Sequence, residues 1–293
     1  MMAAMSSGQP TFELPVELAI DTSAARRIIG EFIRAQLRQA GFHRALLGLS
    51  GGIDSALVAW LVADAIGAEN LLALLMPYRT SSPQSRGDAE EVVRRLGCAS
   101  EVVDISPIVD GYFEATERTD ASPLRRGNFM ARARMMVLYD HSVSWNGLVV
   151  GTGNKTETLI GYSTLWGDSA SAFNPIGDLY KSQIRQLAAD TGVPEAIIRK
   201  APSADLWPGQ TDEAEVGFSY AEVDRILFRL VDRRLSIDEV VADGFDRTVV
   251  ERVDRMVAGS EFKRQVSPIA KIGPRTAGID YLYPRRRPRS TRD

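Results

Sequence analysis

Residues 44–62 read RALLGLSGGIDSALVAWLV, and the parsing of this stretch decides the rest of the chain. Ala45 to Leu49 is a short apolar run of the kind that forms a buried strand, Ser50-Gly51-Gly52 breaks it, and Asp54-Ser55 opens the apolar pattern of a helix. A strand that turns through glycines into a helix leaves the first backbone N–H groups without intrahelical partners. The helix macrodipole adds about half a positive charge at the same spot. Such a turn suits an anion, and phosphate is its usual occupant. Gly51 and Gly52 carry no Cβ to hold a ligand off the backbone, and Ser50 and Ser55 offer hydroxyl donors. Asp54 is the odd member, because a bare carboxylate repels a polyphosphate. It makes sense beside a hard divalent cation such as Mg2+. The plainer alternative is a glycine turn in which Asp54 and Ser55 only cap a helix.

The turn has neither the GxGxxG of dinucleotide folds nor the GxxxxGK[ST] of the Walker loop. SGGIDS instead resembles the PP-loop of the ATP pyrophosphatases, which split ATP between its α and β phosphates. That resemblance implies ATP use and leaves the second substrate open.

Outward from the turn, strand and helix alternate. Thr22 to Ala40 carries Ile28, Ile29, Phe32, Ile33 and Leu37 at helical spacing. Leu71 to Met76, Glu101 to Ile105 and Gly147 to Gly151 read as further strands, with helices through Leu96, over Ile108 to Glu117, and from near Asn128. Continuous apolar strands in this alternation predict an α/β fold: a doubly wound, mostly parallel, five-stranded sheet covered by helices on both faces. Ligands of such sheets gather beyond the carboxyl ends of the strands. Three loops therefore share one rim: the SGG turn, PYRTSSPQ (77–84) and GTGNKTE (151–157). From Lys181 onward the pattern is helical, over Tyr180 to Thr191, Tyr220 to Leu230 and Phe245 to Ala258. Two breaker-rich stretches, Gly161 to Gly177 and Pro202 to Thr211, are long for connections and read as active-site lids. No internal repeat is visible. Residues 1–21 read as a lead-in, 1–280 as a single domain, and the basic, proline-rich 281–293 as a disordered tail.

Composition narrows the function. The 293 residues, 44% hydrophobic and 25% charged, suit a globular protein with a full core. A net charge of −3 gives no general attraction to nucleic acid or membrane. Cys98 is the single cysteine, which excludes an intrachain disulfide and a cysteine-built zinc cluster. His43 and His141 are the only histidines, so histidine chemistry is poorly supplied. The opening MMAAMSSGQPTFELP lacks the make-up of a secretory signal, and no apolar run reaches a membrane span. The cytoplasm is the expected compartment.

A second motif completes the picture. In Gly151-Thr152-Gly153-Asn154-Lys155-Thr156-Glu157, Thr152 is placed to reach a phosphate or ribose, and Glu157 to join Asp54 on a metal. Glu157 reads equally as a first-turn acid of a helix. In company the segments say more. GTGNKTETLIGYSTLWGD, PIGDLYKSQI, KAPSADLWPGQTDE and FKRQVSP follow one another in the order that the NAD synthetases use, and the resemblance spans Ser23 to Asp280.

The resemblance implies an adenine nucleotide alpha hydrolase-like, Rossmann-like fold with a helical C-terminal part. It implies conversion of deamido-NAD to NAD with ATP, Mg2+ and a nitrogen donor, in homodimers with deamido-NAD at the subunit interface. Carried over by motif, Gly48, Leu49, Ser50, Gly51, Gly52, Ile53, Asp54 and Ser55 hold the ATP phosphates, with Thr152, Lys181 and Ser203. Asp54 and Glu157 hold the metal. Asn128, Arg132, Tyr162, Asp168 and Lys263 meet deamido-NAD, with Phe129 a further aromatic face for its ring. Lys181 and Mg2+ neutralise phosphate charge, and Asp168 binds ammonium or takes its proton. Lys181 as a surface charge, Asp168 as a turn cap and Phe129 and Tyr162 as core remain the plain alternatives.

Three positions depart from other members: Leu165, Ala172 and Phe262, where lysine, aspartate and histidine occur. Glutamine-dependent members carry a large N-terminal amidase with a catalytic cysteine. Only a short segment precedes the first strand here, and Cys98 lies within the synthetase region, so ammonia is the expected donor, free or from a separate glutaminase. A tRNA-thiolating PP-loop protein would bring more cysteines and a basic face. Ligases that amidate XMP or aspartate lack the NKTE, WPGQTDE and KRQVSP series.

Overall fold

Strand β1 (Arg44–Gly48) is central in a sheet of order β3-β2-β1-β4, with β2 (Leu71–Leu75), β3 (Ala99–Val102) and β4 (Gly147–Val149). Every pairing is parallel: Ala45 lies opposite Leu71 and Leu148, and Leu72 opposite Ala99. The computed structural model describes residues 15–116, 121–203 and 217–276. Residues 1–14, the lid expected at 204–211 with its WPGQTDE segment, and the tail over 281–293 lie outside them.

Alternation along the strands sorts the core into two faces. Ala45, Leu47, Leu71, Ala73 and Leu75 pack with α1 (Thr22–Ala40), α2 (Ile53–Ile66) and α7 (Lys181–Ala189). Leu46, Leu72 and Leu74 pack on the other side with α4 (Ser106–Ala115) and α5 (Pro123–Trp145). Burial on both faces is why these strands read as unbroken apolar runs. Helix α2 is apolar all round for the same reason, buried from Ser55 to Val62 between sheet and α1. In α1, Ile29, Ile33 and Leu37 face inward while Ile28 points to solvent. On the same side lie α3 (Pro83–Leu96) and α8 (Glu195–Arg199). A second core joins α6 (Lys155–Ile160) to α9 (Tyr220–Leu227), α10 (Ile237–Ala242) and α11 (Arg247–Gly259).

The sheet has four strands among the described residues, where five were expected. The fifth position is taken by a single parallel bridge, Val150 to Phe173. The Ala172 N–H donates to the Val149 carbonyl (2.9 Å) and the Gly151 N–H to the Phe173 carbonyl (2.8 Å). Asn174 and Pro175 follow, and proline has no N–H to extend the ladder. β3 begins two residues earlier than its apolar pattern, though the Val103 and Ile105 N–H groups still reach the Leu75 and Pro77 carbonyls. α5 starts at Pro123 rather than near Asn128, because Ser122 caps it and proline suits the first turn. The end of the lead-in is docked: Leu18 is buried in the second core, and the Ile20 N–H donates to Gln186 Oε1 (3.1 Å).

Candidate active site

A cavity of about 830 Å³ opens beyond the carboxyl ends of β1, β2 and β4, where parallel sheets take their ligands. Its floor is the turn that follows β1. The Ser50 N–H donates to Ser55 Oγ (3.2 Å), the Gly52 N–H to Ser50 Oγ (3.2 Å), and Ser55 Oγ–H to the Gly52 carbonyl (3.2 Å). Gly51 takes φ +76°, and a Cβ there would collide with the Ser85 carbonyl of α3. Glycine is required on both counts. Gly48, Leu49, Ser50, Gly52, Ile53, Asp54 and Ser55 line the cavity, while Gly51 turns into the protein.

One wall of the cavity is charged. Lys181 Nζ sits between Asp54 Oδ2 (2.6 Å) and Glu157 Oε1 (3.0 Å), with the lysine side chain 3% exposed. Burial alone would depress the Lys181 ammonium; the Asp54 and Glu157 carboxylates overcome it, and the net shift is upward. Asn154, fully buried, donates from Nδ2 to Asp54 Oδ1 (2.9 Å) and accepts the Glu157 N–H at its own Oδ1 (2.9 Å). The Glu157 carboxylate returns to the Asn154 N–H (3.4 Å), which closes a capping box. Glu157 is thus both a first-turn acid and a cavity carboxylate. Beside the turn, Lys200 Nζ donates to Asp88 Oδ2 (2.7 Å), Ser85 Oγ (3.1 Å) and the Gly51 carbonyl (3.4 Å).

The far wall is built differently. Lys263 Nζ donates to the carbonyls of Gly161 and Ser163, both at 2.7 Å. Asp168 Oδ1 accepts the Thr164 N–H (2.7 Å), and Asn128 Oδ1 accepts the Thr164 hydroxyl (2.8 Å). The protein packed around Asp168 pushes its carboxyl up, against the pull of Thr164 and Lys263, although the residue stays open to solvent through the cavity. Burial lowers the Lys263 ammonium, opposed by Asp168.

Thr152, Glu157, Lys181, Ser203, Asn128, Tyr162, Asp168 and Lys263 all line the cavity. Arg132 does not; it is exposed and donates to the Leu165 carbonyl (3.1 Å). Phe129 stacks on Tyr112 with ring centroids 4.4 Å apart and belongs to the core, not the cavity. Leu165, Ala172 and Phe262 are also absent from the lining. The 161–177 stretch, read as a lid, is tied to the sheet by the Val150–Phe173 bridge and by Asn174 Nδ2 on the Gly153 carbonyl (2.7 Å), so its second half is a wall. Asn154, Thr156, Lys200 and Asp224 were not singled out from the sequence. The first three stand inside quoted motifs, and Asp224 has no local signal.

Fold and site together define a class: an α/β protein with one cavity beyond its strand ends, walled on one side by a glycine turn and a lysine shared by two carboxylates and on the other by Lys263 and Asp168. A family model described as NAD synthase matches residues 26–267. The NH(3)-dependent NAD(+) synthetase of Trichlorobacter lovleyi is 52% identical over 268 residues, 92% of this chain and 97% of that protein. Among solved structures, the NMN synthetase from Francisella tularensis superposes with a TM-score of 0.77 at 30% identity, covering 87% of this chain and 100% of that one. The NH3-dependent NAD synthetase from Campylobacter jejuni gives 0.74 at 34% identity, covering 86% and 100%. This chain belongs to the NAD synthase family.

Proposed function

We propose that this chain is an ammonia-dependent NAD synthetase: a carbon–nitrogen ligase that amidates deamido-NAD to NAD, the last step of NAD biosynthesis, while ATP is split to AMP and pyrophosphate. The observation that carries the reading is the Lys181 ammonium between Asp54 and Glu157, facing the Ser50–Ser55 turn in a chain half-identical to a named ammonia-dependent synthetase.

A carboxylate resists ammonia because its leaving group is poor and its charge repels nucleophiles. The nicotinate carboxylate attacks the α-phosphate, pyrophosphate leaves, and ammonia then displaces AMP from the acyl adenylate. The turn from Gly48 to Ser55 receives the phosphates, with Thr152 and Ser203 beside them. Lys181 neutralises charge that builds on the phosphates in the transition state. Asp54 and Glu157 fit Mg2+: both are hard carboxylates that share one cation and face the cavity, and Mg2+ commonly takes one or two carboxylates with substrate phosphates. When bound, the ion adds Lewis-acid neutralisation at the phosphates. Deamido-NAD lies along Asn128, Tyr162, Asp168 and Lys263, with Asp168 holding ammonium and accepting its proton.

The working unit is residues 1–280 of a homodimer with an adenine nucleotide alpha hydrolase-like fold, in the cytoplasm. Support for the dimer comes from α5, where exposed Met136, Tyr139 and Val143 share one face, and from Val102, exposed on the open edge strand β3. No helix among the described residues is long and apolar enough to cross a membrane.

The test supplies purified protein with ATP, Mg2+ and deamido-NAD, adds ammonium or glutamine separately, and follows AMP and NAD. Ammonium supports turnover and glutamine alone does not. No AMP with either donor would overturn the reading; preference for the mononucleotide acid over the dinucleotide would redirect it to NMN formation.

A further inference from the structure

We propose that Asp224 is a positioning residue of the adenylation site, fixing through Thr156 and Ser182 the backbone from which Glu157 and Lys181 reach the cavity. The inference rests on the proposed role of Lys181 and deepens it.

Asp224 is fully buried on α9, beside the core residues Val223, Ile226 and Leu227. Packing alone gives no reason for a carboxylate there, since well-packed apolar residues commonly replace buried ionic groups without loss. Its partners supply the reason. Oδ1 accepts the Thr156 hydroxyl (2.6 Å), and Oδ2 accepts both the Ser182 N–H (2.7 Å) and the Ser182 hydroxyl (2.6 Å). The single proton of the Thr156 hydroxyl is committed to Asp224, so its oxygen is left to accept the Lys181 N–H (3.0 Å). Asp224 thereby holds two consecutive N–H groups in the first turn of α7, one directly and one through Thr156. Those groups have no intrahelical partners.

Glu157 follows Thr156 in α6, and Lys181 precedes Ser182 in α7. One carboxylate therefore sets the first turns of α6 and α7 against each other, and the side chains next to its two partners meet at 3.0 Å in the cavity. Asp224 does not itself line the cavity; its hydrogen bonds go to Thr156 and Ser182. Misplacing a charged group by about 1 Å commonly costs on the order of a hundredfold in rate.

Asp224→Asn preserves shape but turns an amide NH2 toward a proton that already points at it, from Thr156 or from Ser182. The expected result is a kcat lowered roughly tenfold to a hundredfold, with the ATP KM changed less than about threefold. Added to Lys181→Met, D224N costs no more than about a further twofold, because both act through one group. Thr156→Val reproduces the loss of D224N, and Thr156→Ser, which keeps the hydroxyl, restores it. The Thr156 pair decides the matter if D224N does not fold. A D224N enzyme within about twofold of the parent kcat, losses that multiply with Lys181→Met, or a T156S variant as impaired as T156V would each overturn the proposal. Should Lys181→Met itself keep the parental rate, the adenylation reading fails, and the proposal falls with it.

Discussion

The two walls of the cavity are held together in opposite ways. On the side of the Ser50–Ser55 turn, charged side chains hold one another: Lys181 lies between Asp54 and Glu157, and Asn154 bonds Asp54. On the far side, the charged side chains hold backbone instead: Lys263 gathers the Gly161 and Ser163 carbonyls, and Asp168 takes the Thr164 N–H, with Asn128 on the Thr164 hydroxyl. The first arrangement fixes charge. The second fixes the course of a loop. Loss of a member should therefore act on chemistry in one case and on the shape offered to the second substrate in the other.

The largest effects are expected at Lys181 and Asp54. Lys181→Met leaves two carboxylates facing one another, and pyrophosphate release should fall on the order of 10²–10³-fold. Breaking a buried pair should also cost about 3–5 kcal/mol in urea unfolding. Asp54→Ala should stop adenylation with the fold intact, since Glu157 still pairs with the ammonium; full activity with Mg2+ as sole metal would remove Asp54 from the metal assignment.

Gly51→Ala comes next. Its positive φ and the Ser85 carbonyl should make the variant about 1–3 kcal/mol less stable and raise the ATP KM, while the deamido-NAD KM stays put.

On the far wall, Lys263→Met frees two carbonyls. Loss of charge-assisted hydrogen bonds predicts a deamido-NAD KM raised about tenfold, with the ATP KM unchanged. Equal rises in both constants would erase the distinction between the walls.

The smallest effect lies outside both, at Glu17, and serves as their reference. Arg225 chiefly, with the Glu17 backbone and Arg229, holds the Glu17 carboxyl at about 2, down from 4.5. A depressed carboxyl contributes stability above its unfolded value and loses it as pH falls toward the folded one. The parent should exceed Glu17→Gln by about 1 kcal/mol or less at neutral pH, because solvent screens so open a pair. That margin should vanish between pH 4.5 and 2.

The same contrast explains what the sequence disclosed. Most of the wall around the turn is written in contiguous letters, SGGIDS and NKTE, because each motif is one turn of backbone opening a helix, while Lys181 comes from a third segment. Lys263 and Asp168 were reached through family resemblance, and their partners are main-chain carbonyls and amides that no residue type advertises. Asp224 stands 68 residues from Thr156 and 42 from Ser182, so only the folded chain joins them. Each of the four apolar runs read from the sequence became a parallel strand; the fifth strand expected had no run of its own, and the chain there keeps one bridge, Val150 to Phe173, before Asn174-Pro175. Phe129 looked like a ring for the substrate, but its helical neighbours Tyr112 and Phe113 enclose it.

Gly51 rests against the Ser85 carbonyl, and Lys200 bridges the Gly51 carbonyl to Ser85 and Asp88. The six letters SGGIDS therefore describe half of an object whose other half is the opening turn of α3. Transplanted into a foreign scaffold, the motif would keep its spelling and lose its curvature unless the matching turn travelled with it.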